Sequence, residues 1–94
     1  MTQKEFINHL FNIETKVHYR PICIRTGQAY FNEAFETFLK YDSDWFRHDN
    51  IKDIDPYYDN KKLSKFKYEL SEHFAKFIIL KSESLRSMPS YMMP

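Results

Sequence analysis

Glycine is almost missing from this chain: Gly27 is the single one in 94 residues. A turn-rich sandwich or barrel needs more, and one glycine cannot build the phosphate cradle of a P-loop or dinucleotide fold. Cysteine is equally scarce. Cys23 stands alone, so no internal disulfide can form and no Cys/His spacing matches a zinc site. No apolar run reaches membrane-spanning length, and the start lacks the charged-then-apolar order of a signal peptide. A net charge of +1 supplies no field to draw in nucleic acid or a membrane. The expectation is a soluble, cytoplasmic protein.

Clustered chemistry is also missing. His9, His18, His48 and His73 fall on four different segments, none with a second His or Cys one helical turn away. Glu5 with His9 and Glu69 with His73 share the i, i+4 spacing, which is commonplace on helices. Asp53, Asp55 and Asp59 imitate the opening of a calcium loop but lack its turn glycine and closing glutamate. No cofactor, metal or catalytic residue is expected, and Cys23 reads as a small buried apolar group.

What the chain does have is aromatic mass: nine Phe, seven Tyr and Trp45. The length suits one domain with one modest core. The stretch TGQAYFNEAFETFL (26–39) places Tyr30, Phe31, Ala34, Phe35, Phe38 and Leu39 at helical spacing. It reads as the central helix, from about Gly27 to Tyr41, with Thr26 as N-cap and Phe35 and Phe38 almost fully buried. Before it, Thr2 and Glu5 fit a capping box ahead of a helix over 3–16, on which Phe6, Ile7, Leu10, Phe11 and Ile13 recur. Pro21 ends that run, and residues 17–25 read as an irregular connector. Ser43 caps a short helix, SDWFRH, whose Trp45 and Phe46 dip into the core. Residues 49–60 read as an ordered loop pinned by Ile51, Ile54, Tyr57 and Tyr58. A last helix is expected from about Asn60 to Leu80, with Leu63, Phe66, Leu70, Phe74, Phe77 and Ile78 inward. The predicted fold is all-α: three main helices plus one short one around an aromatic core, over residues 1–82, with 83–94 as a flexible tail.

Charge is unevenly placed. Residues 43–60 carry Asp44, Asp49, Asp53, Asp55 and Asp59 against Arg47 and Lys52. Lys61, Lys62 and Lys65 then open the last helix, where the dipole disfavours cations by roughly a few tenths of a kcal/mol each. Two readings are open: the aspartates neutralise these lysines, or the lysines face an acidic partner or phosphates. Basic–aromatic stretches such as HYR (18–20) and KFKY (65–68) could stack on single-stranded nucleic acid, but no strand platform or basic groove is predicted for them.

Arg25-Thr26-Gly27-Gln28, then Tyr30, Phe31 and Asn32, then Asp55-Pro56-Tyr57-Tyr58-Asp59, and Leu63 with Phe66, together resemble a group of very small bacterial and phage proteins. Their pattern is an R-x-G-Q helix start with an aromatic–Asn pair and a D-P-F-Y-D turn into a last helix. The resemblance covers residues 25–70, and Tyr57 stands where the pattern has Phe. It implies a phage or mobile-element protein and carries no reaction with it. Physically, Arg25, Gln28, Asn32, Asp55 and Asp59 read as a clamp, in which Arg25 meets Asp55, Asp59 or a carbonyl of that turn and ties the second helix to the start of the last. A binding site at the same junction is the other reading.

The functional expectation is a non-catalytic protein–protein interaction module, with a host enzyme or defence complex as its partner, in the manner of an anti-CRISPR inhibitor. The alternative is a nucleic-acid-binding accessory protein using the lysines of the last helix. Trp45, Tyr57, Tyr58 and Tyr68 are partly spare once Phe and Leu have filled the core. The expected partner face therefore combines Asp44, Trp45, Asp53, Asp55, Tyr57, Tyr58, Lys61, Lys62, Lys65 and Tyr68.

Overall fold

The computed structural model describes residues 1–79. Helix α1 spans Gln3–His18 and starts as its sequence directs, with the Thr2 hydroxyl oxygen accepting from the Glu5 N–H at 3.1 Å. Its buried side is narrower than the apolar pattern implied. Phe6, Ile13 and Val17 are buried and Leu10 packs beside them, while Ile7 and Phe11 face outward. Helix α2 spans Thr26–Phe38 and packs along α1. A 3-10 turn at Asp44–Phe46 and a single-turn helix α3, His48–Ile51, follow. Helix α4, Leu63–Phe74, is entered through a 3-10 turn at Asn60–Lys62 and left through another at Ala75–Phe77. The result is an all-helical, compact globule around a large aromatic cluster.

The centre of that cluster is Phe38, Phe66 and Phe74, each fully buried with Ile13, Ile51 and Leu70. Phe38 stacks on Phe74 at 4.7 Å between centroids, and Phe46 stacks on the same ring from the 3-10 turn at 5.7 Å. Tyr30 meets Phe66 edge-on and carries the Lys67 ammonium over its own ring; burial pushes its phenol pKa up. The four-residue spacing of Tyr30, Ala34 and Phe38 keeps all three on the buried side of α2.

Several expectations are corrected here. Phe35 is not almost fully buried: it is 36% exposed, stacked on Phe31 and edge-on to Phe46 at the border of the core. It adjoins Ala34 in sequence, and a 100° step along a helix carries it off the buried stripe. Thr26 is the first helical residue, not the cap; its hydroxyl accepts from Arg20 at 2.8 Å, and Arg25 holds the N-cap place without a side-chain cap bond. Ser43 makes no cap bond either; Asp42 accepts from the Asp44 N–H instead. The last helix does not run to Leu80. Ile78 turns extended, and the Ile79 N–H bonds to the Met1 carbonyl at 2.8 Å while the Met1 ammonium donates to the Phe77 carbonyl. The chain start thus fixes the exit of α4. The expected tail, 83–94, lies outside the described residues.

Candidate functional site

The residues of the quoted pattern converge on one junction, where the start of α2 meets the 55–60 turn. The turn builds itself first. The Asp55 carboxylate accepts from the Tyr57 N–H at 2.9 Å, Pro56 is fully buried, and the Asp59 carboxylate accepts from the Lys61 N–H at 3.0 Å to cap the following 3-10 turn. Helix α2 then docks onto it. The Arg25 guanidinium donates to the Tyr57 carbonyl at 2.6 Å, the Gly27 N–H to the Asn60 amide oxygen at 2.8 Å, and the Gln28 amide to the Tyr57 hydroxyl at 3.3 Å. Asn60 therefore serves a free N–H in the first turn of a helix 33 residues away. A Cβ on Gly27 would collide with the Pro56 carbonyl oxygen and sit 2.8 Å from the Asn60 amide oxygen. The single glycine is required for close approach, since its φ is not positive.

Arg25 reaches the 55–59 turn through a carbonyl, that of Tyr57, while the Asp55 and Asp59 carboxylates are engaged by N–H groups of their own turn. One member of the expected clamp is revised. Asn32 takes no part: it lies two turns along α2 on the side facing the 19–24 connector, among the residues lining a separate groove.

Of the expected partner face, Tyr58 and Tyr68 are exposed, as are Asp44, Asp53, Lys61 and Lys65. Trp45 and Tyr57 are not spare. Trp45 packs on Phe46, Phe66 and Phe74, and Tyr57 stands edge-on to Phe31 at 5.8 Å. Asp55 is consumed by the turn, and Lys62 folds back so that its ammonium donates to the Lys52 carbonyl at 3.3 Å. Among the described residues no carboxylate forms an ion pair with Lys61, Lys62 or Lys65, so the aspartates of 43–60 do not neutralise them by contact. Lys65 and Tyr68 lie one turn apart on the exposed side of α4, and Lys61 is exposed in the 3-10 turn that leads into it.

Tyr58 is the distinctive member of the set. Its side chain is 82% exposed, yet it is held on two sides: Tyr57 at 4.7 Å between centroids, and the Arg25 guanidinium 5.9 Å from its ring centre. The same Arg25 that ties down the turn therefore also positions an aromatic ring in solvent.

Sequence reasoning missed a second assembly. His73 bonds Asp42 at 2.8 Å and stacks on Trp45 at 5.5 Å and 17°, linking α4 to the segment after α2. The hydrogen bond to His73 holds the Asp42 carboxyl below the usual carboxylate range, so its contribution to stability is fully present above that range and is lost as pH falls from it through the lowered value. The two lie 31 positions apart, so no local spacing marks the pair.

His9 also has a structural place. It stands edge-on to Phe38 at 5.7 Å with its Nε2 buried and without a hydrogen-bond partner among the described residues. Burial, followed by the charge of Lys40, lowers its pKa below 6.5, while Glu5 opposes the shift. The unfolded chain then holds more protons than the native one between the lowered value and 6.5, so stability falls as pH drops through that window and levels off below it. Chemical denaturation at about pH 7.5 and about pH 5 should show this loss in the native protein and a smaller one in His9→Phe. Equal pH slopes in the two proteins would show that His9 is not its source.

No three His, Cys, Asp or Glu side chains converge as a metal ion would need among the described residues, and no helix there is long and apolar enough to cross a membrane. Comparisons of the chain with protein-family models, curated proteins and solved structures found no match.

Proposed function

We propose that the protein is a non-catalytic protein–protein interaction module that docks through Tyr58 and the charges around it. The observation that carries this is an exposed aromatic ring fixed by its neighbours. Tyrosine is favoured at interface centres because it brings large contact area at low cost in side-chain freedom. Here Tyr57 and Arg25 have already restricted the ring, so little further ordering is left for binding. Asp53, Lys61 and Lys65 are exposed charges of both signs, suited to the polar rim and to steering of encounter. The partner class is a protein, and the resemblance to small phage proteins favours a host enzyme or defence complex.

The test is capture of a partner from host lysate, followed by kinetics on the isolated pair. Tyr58→Ala should raise the dissociation rate about tenfold or more, with the helical circular dichroism unchanged. Charge reversal at Asp53 and Lys61 should slow association more at low salt than at high salt. A partner that tolerates all three changes yet is lost on changing Phe11 would move the interface to α1.

A second reading has its own observation, the exposed row of Lys61, Lys65 and Tyr68, whose lysines have no ion-pair partner among the described residues. Such a stripe could track a single-stranded backbone and stack one base. Fluorescence anisotropy with a labelled oligonucleotide decides it: binding that weakens steeply with salt and vanishes in Lys61→Glu/Lys65→Glu would favour nucleic acid over protein.

A further inference from the structure

Between the C-terminal half of α1, the connector after it and α2 lies a groove of about 320 Å³, lined by Lys16, Tyr19, Arg20, Pro21, Ile24, Ala29, Asn32 and Glu33. Tyr19, Pro21, Ile24 and Ala29 supply apolar surface to it. Its volume is at the lower end of small-molecule sites, enough for one ring or a short alkyl chain with a head group.

The polar part is more informative. Arg20 is half-buried and rigidly placed: its Nε donates to the Ile24 carbonyl at 2.7 Å, and its two terminal nitrogens donate to the Val17 carbonyl and the Thr26 hydroxyl, each at 2.8 Å. These bonds close the end of α1 and fix the connector, which is a structural role. They use three of the five N–H donors of a guanidinium, and every acceptor is uncharged. Among the described residues no carboxylate lies within ion-pair distance of Arg20, so a half-buried positive charge is left without a counter-charge. Glu33, the acid lining the groove, is already paired with Lys16 at 3.5 Å. Lys16, Arg20 and Glu33 together leave the lining with one excess positive charge. Asn32 adds an exposed amide that makes no hydrogen bond within the described residues. This is the member of the aromatic–Asn pair that the junction does not use.

We infer that this groove binds a small organic carboxylate, its acid group on Arg20 and Asn32 and its apolar body over Pro21, Ile24 and Ala29. The two N–H groups that Arg20 has left, one on each terminal nitrogen, are charged donors suited to a carboxylate. One excess charge fits a monoanion better than a phosphate dianion, and the apolar lining has no use in binding an inorganic ion. The inference does not depend on docking through Tyr58.

Phenylacetate is a suitable probe, with phenylacetamide as its neutral counterpart and inorganic phosphate as the anion without an apolar body. Each is titrated into the full isotope-labelled chain and followed by amide chemical shifts. Phenylacetate should give saturable shifts at Ile24, Ala29 and Asn32 with a dissociation constant on the order of 1 mM, and the other two should bind at least about tenfold more weakly. Glu33→Gln, which removes the opposing charge, should tighten phenylacetate binding about threefold. Asn32→Trp, at an exposed position that leaves the fold intact, should fill the groove and abolish binding. Equal binding of phenylacetamide would reduce the groove to an apolar crevice, and equal binding of phosphate would reduce it to a general cationic surface. Either result, or no saturable shift at these three residues, overturns the proposal.

Discussion

Gly27→Ala should destabilise the protein by about 2–3 kcal/mol, although alanine is the better helix former by about 1 kcal/mol. The sign is what makes the experiment decisive. Gly27 lies in the first turn of α2, where a slack environment would let alanine stabilise the helix and reduce the freedom of the unfolded chain. The environment is not slack. The new methyl group would meet the Pro56 carbonyl oxygen, a backbone atom, and Pro56 itself is fully buried and cannot swing aside. Relief requires α2 to lift away from the turn. The bonds from Gly27 to Asn60, from Arg25 to the Tyr57 carbonyl and from Gln28 to the Tyr57 hydroxyl would lengthen together. Urea denaturation of both proteins measures the difference, and an increase in midpoint for the alanine variant would remove the close-approach account of this residue. Because Arg25 also positions Tyr58, Gly27→Ala should loosen that ring as well.

Phe38→Ala should cost more, about 3–5 kcal/mol, which is comparable to the whole stability of a domain this small. Phe38 is 0% exposed and in ring contact with Phe6, His9, Tyr41 and Phe74, so truncation opens a cavity where α1, α2 and α4 meet. Four aromatic neighbours, one stacked and three tilted or edge-on, cannot collapse into it without giving up their own packing. Phe35→Ala is the internal control. At the border of the core it should cost about 1–2 kcal/mol, since water already reaches the ring and less apolar area is lost. Thermal or urea unfolding orders the two, and equal costs would mean that the centre of the core is misplaced.

The helices were legible because their signal is local. Periodic apolar residues at 30, 34 and 38, and at 66, 70 and 74, can only be buried together on a helix. The same rule overreached at Ile7, Phe11 and Phe35: periodicity marks an apolar side, and only the neighbouring elements decide how wide a strip of it is covered. The pattern from Arg25 to Asp59 was visible as a set of residues, but its internal wiring was not. A guanidinium can meet a carboxylate or a carbonyl equally well, and the choice depended on Asp55 and Asp59 being taken by their own turn. Trp45 and Tyr57 looked spare because their packing partners, Phe66, Phe74 and Phe31, lie on other helices.

Sequence alone determined the class of this protein: with one glycine, one cysteine and aromatic residues at helical spacing, an all-α fold around a ring-filled core was the available solution. Local chemistry also determined the start of α1 at Thr2 and the turn begun by Asp55-Pro56. Tertiary structure decided the rest. It set the single glycine against Pro56, left Arg20 without an acid among the described residues, joined Asp42 to His73, and held Tyr58 out in solvent. Each of these depends on which side of one element meets which side of another. Side-chain spacing along a single helix carries no information about that meeting, because the approach of two elements is set by the packing of all the rings between them.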